Sequence, residues 1–194
     1  MKRAILVLLL SLGLMGLLQG CAELFLAGGA TAANVAHDRR TAGSFVDDEG
    51  IELKALKALH SDKEINDKTH ISVTSFNQVV LMTGEAPTPE LRDRAEALVK
   101  QIPRVRRVHD EVVIASPSAL SSRTSDTWIT AKVKTSLFGV KLPNFDPTRV
   151  KVVTENGTVF LMGLLRRSEA DAVVNRVRQV GGVQRVVKVF EYID

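Results

Sequence analysis

One cysteine, one tryptophan and one tyrosine occur in the 194 residues of this chain, and aromatic side chains are only 5% of it. A lone cysteine excludes an internal disulfide and a Cys-based metal cluster. The four histidines, His37, His60, His70 and His109, are scattered without an i, i+4 pair, so no metal site is expected. No G-x-S-x-G elbow and no glycine-rich phosphate loop ahead of a helix are present. Catalytic residues are therefore not expected, nor any cofactor beyond a covalent lipid. The charge excess that nucleic-acid binding requires is missing too. The net charge is +4, half of it from Lys2 and Arg3 at the very start.

What is present begins with an address. Lys2 and Arg3 precede an uncharged apolar run from Ala4 to Leu18, followed by Gln19-Gly20-Cys21. This is the pattern of a secretory signal, too short and wrongly flanked for a membrane span. Leu-Leu-Gln-Gly-Cys resembles a bacterial lipobox, which implies removal of residues 1–20 and an N-acyl, diacylglycerol-bearing Cys21. Ala22 stands where an Asp would resemble an inner-membrane retention signal. The expected location is the inner leaflet of the outer membrane, facing the periplasm. Residues 21–43, rich in Ala and Gly, read as a tether.

An internal repeat fills the remainder. Ile51, Lys54 and Leu59 match Ile129, Lys132 and Leu137 at an offset of 78. Val73, Val80 and Gly84 match Val152, Val159 and Gly163 at 79, and Ile102, Val105 and Val108 match Val180, Val183 and Val186 at 78 again. Each copy, 44–116 and 125–194, reads helix, strand, strand, helix, strand, with 117–124 as a linker. The first helices are expected over Asp47–His60 and Asp126–Gly139, the latter capped by Ser125 or Asp126. Asp47, Asp48 and Glu49 read as helix-start charges rather than a catalytic cluster. His70 to Ser75 and Val79 to Gly84 are expected to alternate in period two, and the hairpins turn at Phe76-Asn77-Gln78 and Glu155-Asn156-Gly157. Thr88 caps the first copy's second helix with Pro89 in its first turn, and Ser168 to Asp171 has capping-box spacing in the other. The fold class is α+β: two αββαβ modules, each a three-stranded mixed sheet with two helices on one face.

The second module's first helix carries one apolar face too many. Ile129, Val133 and Leu137 form a core stripe. On the opposite side lie Trp128, Ala131, Thr135 and Phe138, flanked by Lys132 and Lys134. Aromatic rings beside lysines suit an anionic headgroup layer. Packing against a neighbouring domain of the same chain suits the stripe as well. The equivalent positions of the first copy, Gly50, Leu53, Lys57 and His60, hold no aromatic, so the fold itself does not demand the stripe. Charge divides the same way: 44–116 carries −3 and 125–194 carries +4.

The sequence V150-K-V-V-T-E-N-G157-T-V-F-L-M-G163, with G182-V-Q-R-V186 before the last strand, resembles the BON domain. The first copy departs from it with Gln78 for Gly157 and Pro103-Arg104 for Gly181-Gly182. Tandem BON modules behind a lipobox are similar to a family of outer-membrane lipoproteins. That resemblance implies binding of anionic phospholipid, such as phosphatidylglycerol or cardiolipin, through the first helix of the second module. It also implies enrichment at the division site and support of envelope integrity. A monomer is expected. The alternative is a protein adaptor for outer-membrane assembly machinery, docking through the same helix or a sheet edge.

Overall fold

The computed structural model describes residues 39–117 and 120–193, with the side chains of 120–123 excepted. The signal segment, Cys21, Ala22 and the tether up to residue 38 lie outside the described residues. His37–Asp194 forms one compact unit.

The first module runs α1 (Ala42–Ser61), α2 (Lys63–Lys68), β1 (His70–Phe76), β2 (Val79–Ala86), α3 (Pro89–Lys100) and β3 (Arg107–Ile114). The second runs α4 (Leu120–Leu137), a 3-10 turn at Pro147–Arg149, β4 (Lys151–Glu155), β5 (Thr158–Leu165), α5 (Arg167–Val177) and β6 (Arg185–Tyr192). Both sheets have three strands with the middle strand central in space, antiparallel to its hairpin partner and parallel to the closing strand. The modules thus share one topology, and the α+β expectation holds. Ile51, Ala55, Leu59, Leu91, Ala95 and Val99 bury the helices of the first module on Val80 and Met82. Ile129, Val133, Leu137, Val173 and Val177 do the same on Val159 and Leu161.

Both opening helices start earlier than the apolar period suggests. Thr41 caps α1, its hydroxyl accepting from Ser44 N at 3.0 Å, so the last residues assigned to the tether are already cap and helix. Likewise α4 begins at Leu120, inside the stretch read as linker, which leaves Asp126 in mid-helix rather than at a cap. Ala42 and Gly43 at the start of α1 are exposed, and Ser121-Ser122-Arg123 after Leu120 carry no apolar period, so hydrophobic periodicity cannot mark either start. The short helix α2 was not foreseen, although Asp62 caps it by accepting from Glu64 N and Ile65 N. The capping box of α5 sits two positions before its expected place. Arg166 N donates to Glu169 Oε2 at 2.8 Å.

Backbone geometry explains the repeated motif. A Cβ on Gly84 would lie 1.8 Å from His70 O on the neighbouring strand, and one on Gly163 would lie 2.8 Å from Arg149 O in the turn before β4, so the adjoining backbone leaves no room for a side chain. The hairpin turns need positive φ at both central residues, found at Asn156 (47°) and Gly157 (70°) and equally at Asn77 (52°) and Gln78 (64°). Arg104 (75°) likewise takes the conformation of Gly182 (101°). The first copy therefore keeps the backbone of the motif where it has lost the glycines.

The sheet faces away from the helices are not open. Phe76, Val79 and Leu81 of the first module meet Phe160, Met162 and Val189 of the second in a third buried cluster. The two sheets pack against each other with helices outside. Polar contacts ring this junction: Arg106 and Asn77 reach Glu191, Asn156 Nδ2 donates to the buried Glu85, and Lys151 pairs with Glu52 at 2.8 Å. Strand β2 is consequently buried at every position rather than alternating.

Candidate functional site

Helix α4 is fixed from three sides. Its core stripe, Ile129, Val133 and Leu137, is at most 7% exposed. Asp126, 6% exposed, accepts from Asn156 N and Gly157 N, both at 2.8 Å, and so ties the helix to the turn of its own hairpin. Thr130 donates to Thr154 on β4 at 2.7 Å. Asp48 repeats the aspartate's role in the first module, accepting from Asn77 N, Gln78 N and Ser75 Oγ. Both aspartates were expected to serve helix starts. Their partners are turn amides about thirty positions away, which spacing along a helix cannot reveal.

With the helix so held, its other face projects into solvent. Trp128 is 69% exposed and Phe138 75%. Ala131, Lys134 and Thr135 are exposed between them, Thr135 Oγ1 donating back to Ala131 O. No part of the first module covers Trp128. The two lysines flank the stripe on different sides and differ in engagement. Lys132 Nζ donates to Gly181 O at the end of α5's trailing loop. Lys134 has no hydrogen bond or ion pair with any described residue.

Sequence reasoning missed a second exposed stripe. Val46 (68%), Leu53 (68%) and Leu56 (55%) stand out from α1, with Lys54 and Lys57 exposed beside them. Looking only for aromatics at equivalent positions hid it, because the exposed side chains here are aliphatic.

Among the described residues no group of three His, Cys, Asp or Glu can hold an ion. Hydrogen bonding from Arg39 holds the Glu169 carboxyl below its usual range, and burial pushes Asp110 up and His109 down. His109 and Asp110 stand on β3 and Glu169 on α5, not on α4. No helix among the described residues is long and apolar enough to cross a membrane.

The family model described as "BON domain" matches residues 47–116 and again 125–194. The chain belongs to the BON-domain family. Three relatives match over most of its length. It is 37% identical over 180 residues to "Outer membrane lipoprotein DolP" of Haemophilus influenzae, covering 91% of each chain. To the "21 kDa hemolysin" of Actinobacillus pleuropneumoniae it is 35% identical, covering 81% of this chain and 80% of that one. A more distant relative, "Osmotically-inducible protein Y" of Escherichia coli, is 28% identical over 74% of this chain and 72% of its own. The chain is a tandem-BON protein resembling the first of these.

Proposed function

We propose that this BON-domain protein is a non-enzymatic outer-membrane lipoprotein that docks its second module on anionic phospholipid through the exposed face of α4. The observation that carries the proposal is the exposure of Trp128 on α4 and of Phe138 in the turn that follows it, beside a core face that is already filled. Two such rings have no structural task where they stand, and monomeric proteins rarely expose large apolar side chains together without use. With roughly 200 Å² per ring, of which 69% and 75% is exposed, half-burial of the exposed part in the headgroup boundary contributes roughly 4 kcal/mol at ~25 cal/mol per Å². Unpaired Lys134 adds about 1 kcal/mol near an anionic surface, and Lys132 less while it holds Gly181 O. A sum of roughly 5 kcal/mol corresponds to a weak, reversible contact. The acyl groups on Cys21 raise its effective concentration at the membrane. Within a cell, this contact would place the protein on anionic lipid at the inner leaflet of the outer membrane, including the division site, in support of envelope integrity.

Sedimentation of the compact unit 37–194 with vesicles tests the reading. Binding to vesicles containing phosphatidylglycerol or cardiolipin, weakened by salt and absent with neutral lipid, is expected. Equal binding to neutral vesicles, or none, would contradict it. For the anchor, Cys21→Ala should remove the protein from the outer-membrane fraction, and normal fractionation of that variant would contradict the lipobox reading.

A second reading, a protein adaptor, is favoured by α1. Val46, Leu53 and Leu56 are exposed on the acidic module, where attraction to anionic lipid is weaker. A photocrosslinker placed at Leu53 in cells should capture one discrete envelope protein if α1 is an adaptor face. Labelling of lipid alone would remove this reading.

A further inference from the structure

Beside α4 lies a cleft of about 450 Å³ that belongs to both modules. Phe45 and Phe76 of the first module and Leu137, Phe138 and Val152 of the second make its apolar walls. Most of its polar groups are already satisfied. Arg40 pairs with Asp48 at 2.8 Å and stacks 4.0 Å from the Phe76 ring centre. Lys151 donates to Glu52 Oε1 and Ser75 O. Two lining groups are left over: Lys134 and Glu49 have no hydrogen bond or ion pair with any described residue.

Three properties select an occupant. The volume and the carbon-rich wall are those of a small-molecule site that buries an apolar body and holds one polar end. The free ammonium of Lys134 offers that end an anion partner. Phe138 and Lys134 belong to the cleft and to the exposed α4 stripe at once, so whatever α4 rests on lies at the cleft's mouth. The chain also enters the folded unit here. Arg40 is a wall residue, and Arg39 beside it binds Glu169.

We propose that the cleft accepts one acyl chain of an anionic phospholipid or lysophospholipid, with the headgroup phosphate at Lys134. This rests on the reading of α4 as a membrane face for its supply of lipid, but not for the fit of the cleft. A lipid with one chain drawn into protein resists sliding out from under the helix. The contact then becomes a grip on individual lipid molecules instead of a purely interfacial adsorption. Glu49, contributed by the first module, repels a second phosphate and limits the site to one.

The probe is lauroyl-lysophosphatidylglycerol below its micellar concentration, with native mass spectrometry and calorimetry on the compact unit 37–194. One equivalent should bind. Thr148→Trp, which fills the cleft from its exposed rim, should lower affinity at least tenfold while the melting temperature holds. Glu49→Phe fills it from the first module and should do the same if Thr148→Trp folds poorly. Lys134→Gln should weaken lysolipid binding several-fold, and the uncharged monolauroyl glycerol should bind as weakly as that variant's lysolipid. Trp128→Glu should lose vesicle binding yet keep lysolipid affinity within about twofold. Binding of several equivalents, or none, would overturn the proposal. So would lysolipid affinity lost in Trp128→Glu but kept in both cleft-filling variants. If the wild type takes lysolipid and ignores vesicles, the membrane reading falls and the cleft assignment stands. A Cys21→Ser chain that fails to bind lysolipid when 37–194 does would assign the cleft to the protein's own tether and overturn the lipid assignment.

Discussion

Arg39 grips Glu169 from 130 positions away, donating to both carboxylate oxygens at 2.6 and 2.7 Å. A further bond to Leu164 O at 3.0 Å fastens the same guanidinium to β5. The stretch leading into the first module is thereby tied to the second, and the two modules are closed together at the point where the chain enters.

The pair is largely buried, with side-chain exposures of 19% and 5%. Glu169→Gln should therefore lower stability by about 1–3 kcal/mol at neutral pH. Glu169 has a folded pKa lowered from 4.5, chiefly by the hydrogen bond from Arg39. A depressed carboxyl contributes stability that is complete above its unfolded pKa and is lost as pH falls through the folded value. The difference between wild type and Glu169→Gln in thermal denaturation should be constant from neutral pH down to about 5 and should close below about 4.5. A gap that persists or widens at lower pH would contradict the assignment.

The paired aspartates make a second expectation. Asp126→Ala strips two turn amides of their acceptor in a buried setting, and Asp48→Ala strips the equivalent turn in the first module. Each should cost about 2–4 kcal/mol in urea unfolding, since hydrogen bonds to a charged group are the strong ones. A change under about 0.5 kcal/mol would mean that the turns hold themselves.

Gln78 and Gly157 occupy one backbone conformation, with φ of 64° and 70°. A side chain is strained there. Gln78→Gly should stabilise the protein by about 0.5–1 kcal/mol, reduced by loss of the Gln78–Asp47 hydrogen bond. Gly157→Gln should destabilise by more, because a Cβ there would also sit 2.9 Å from the Gln184 side chain. Melting temperatures that move in the same direction for both variants would refute the comparison.

Much of this architecture is legible in the sequence because the modules repeat. Offsets of 78 and 79 align helices, hairpins and closing strands, and Thr88-Pro89 and Asn156-Gly157 mark a helix start and a turn by local chemistry. The docking of the modules is long-range and left a weaker mark. Val79-Val80-Leu81-Met82 and Val159-Phe160-Leu161-Met162 are unbroken apolar runs, the signature of a strand covered on both faces, and the alternation read into β2 missed it. Helix starts at Thr41 and Leu120 escaped because Ala42-Gly43 and Ser121-Ser122-Arg123, which follow them, carry no apolar period. In the candidate site, periodicity put Trp128 and Phe138 opposite the core stripe but left open whether a neighbouring domain covers them; their exposure comes from the structure. The attachment of Lys132 to Gly181 O and the sharing of Phe138 with the inter-module cleft depend on elements distant in sequence.

The central claim is that α4 meets anionic lipid, and Trp128 is the chain's only tryptophan. Its fluorescence during a titration with phosphatidylglycerol vesicles reports on that helix directly. The account predicts emission typical of an exposed indole in buffer, shifting to the blue as anionic vesicles are added. Neutral vesicles should leave it unmoved, added salt should reverse the shift, and brominated lipid should quench it. Emission that stays red at saturating anionic lipid, or shifts equally with neutral vesicles, would contradict the account.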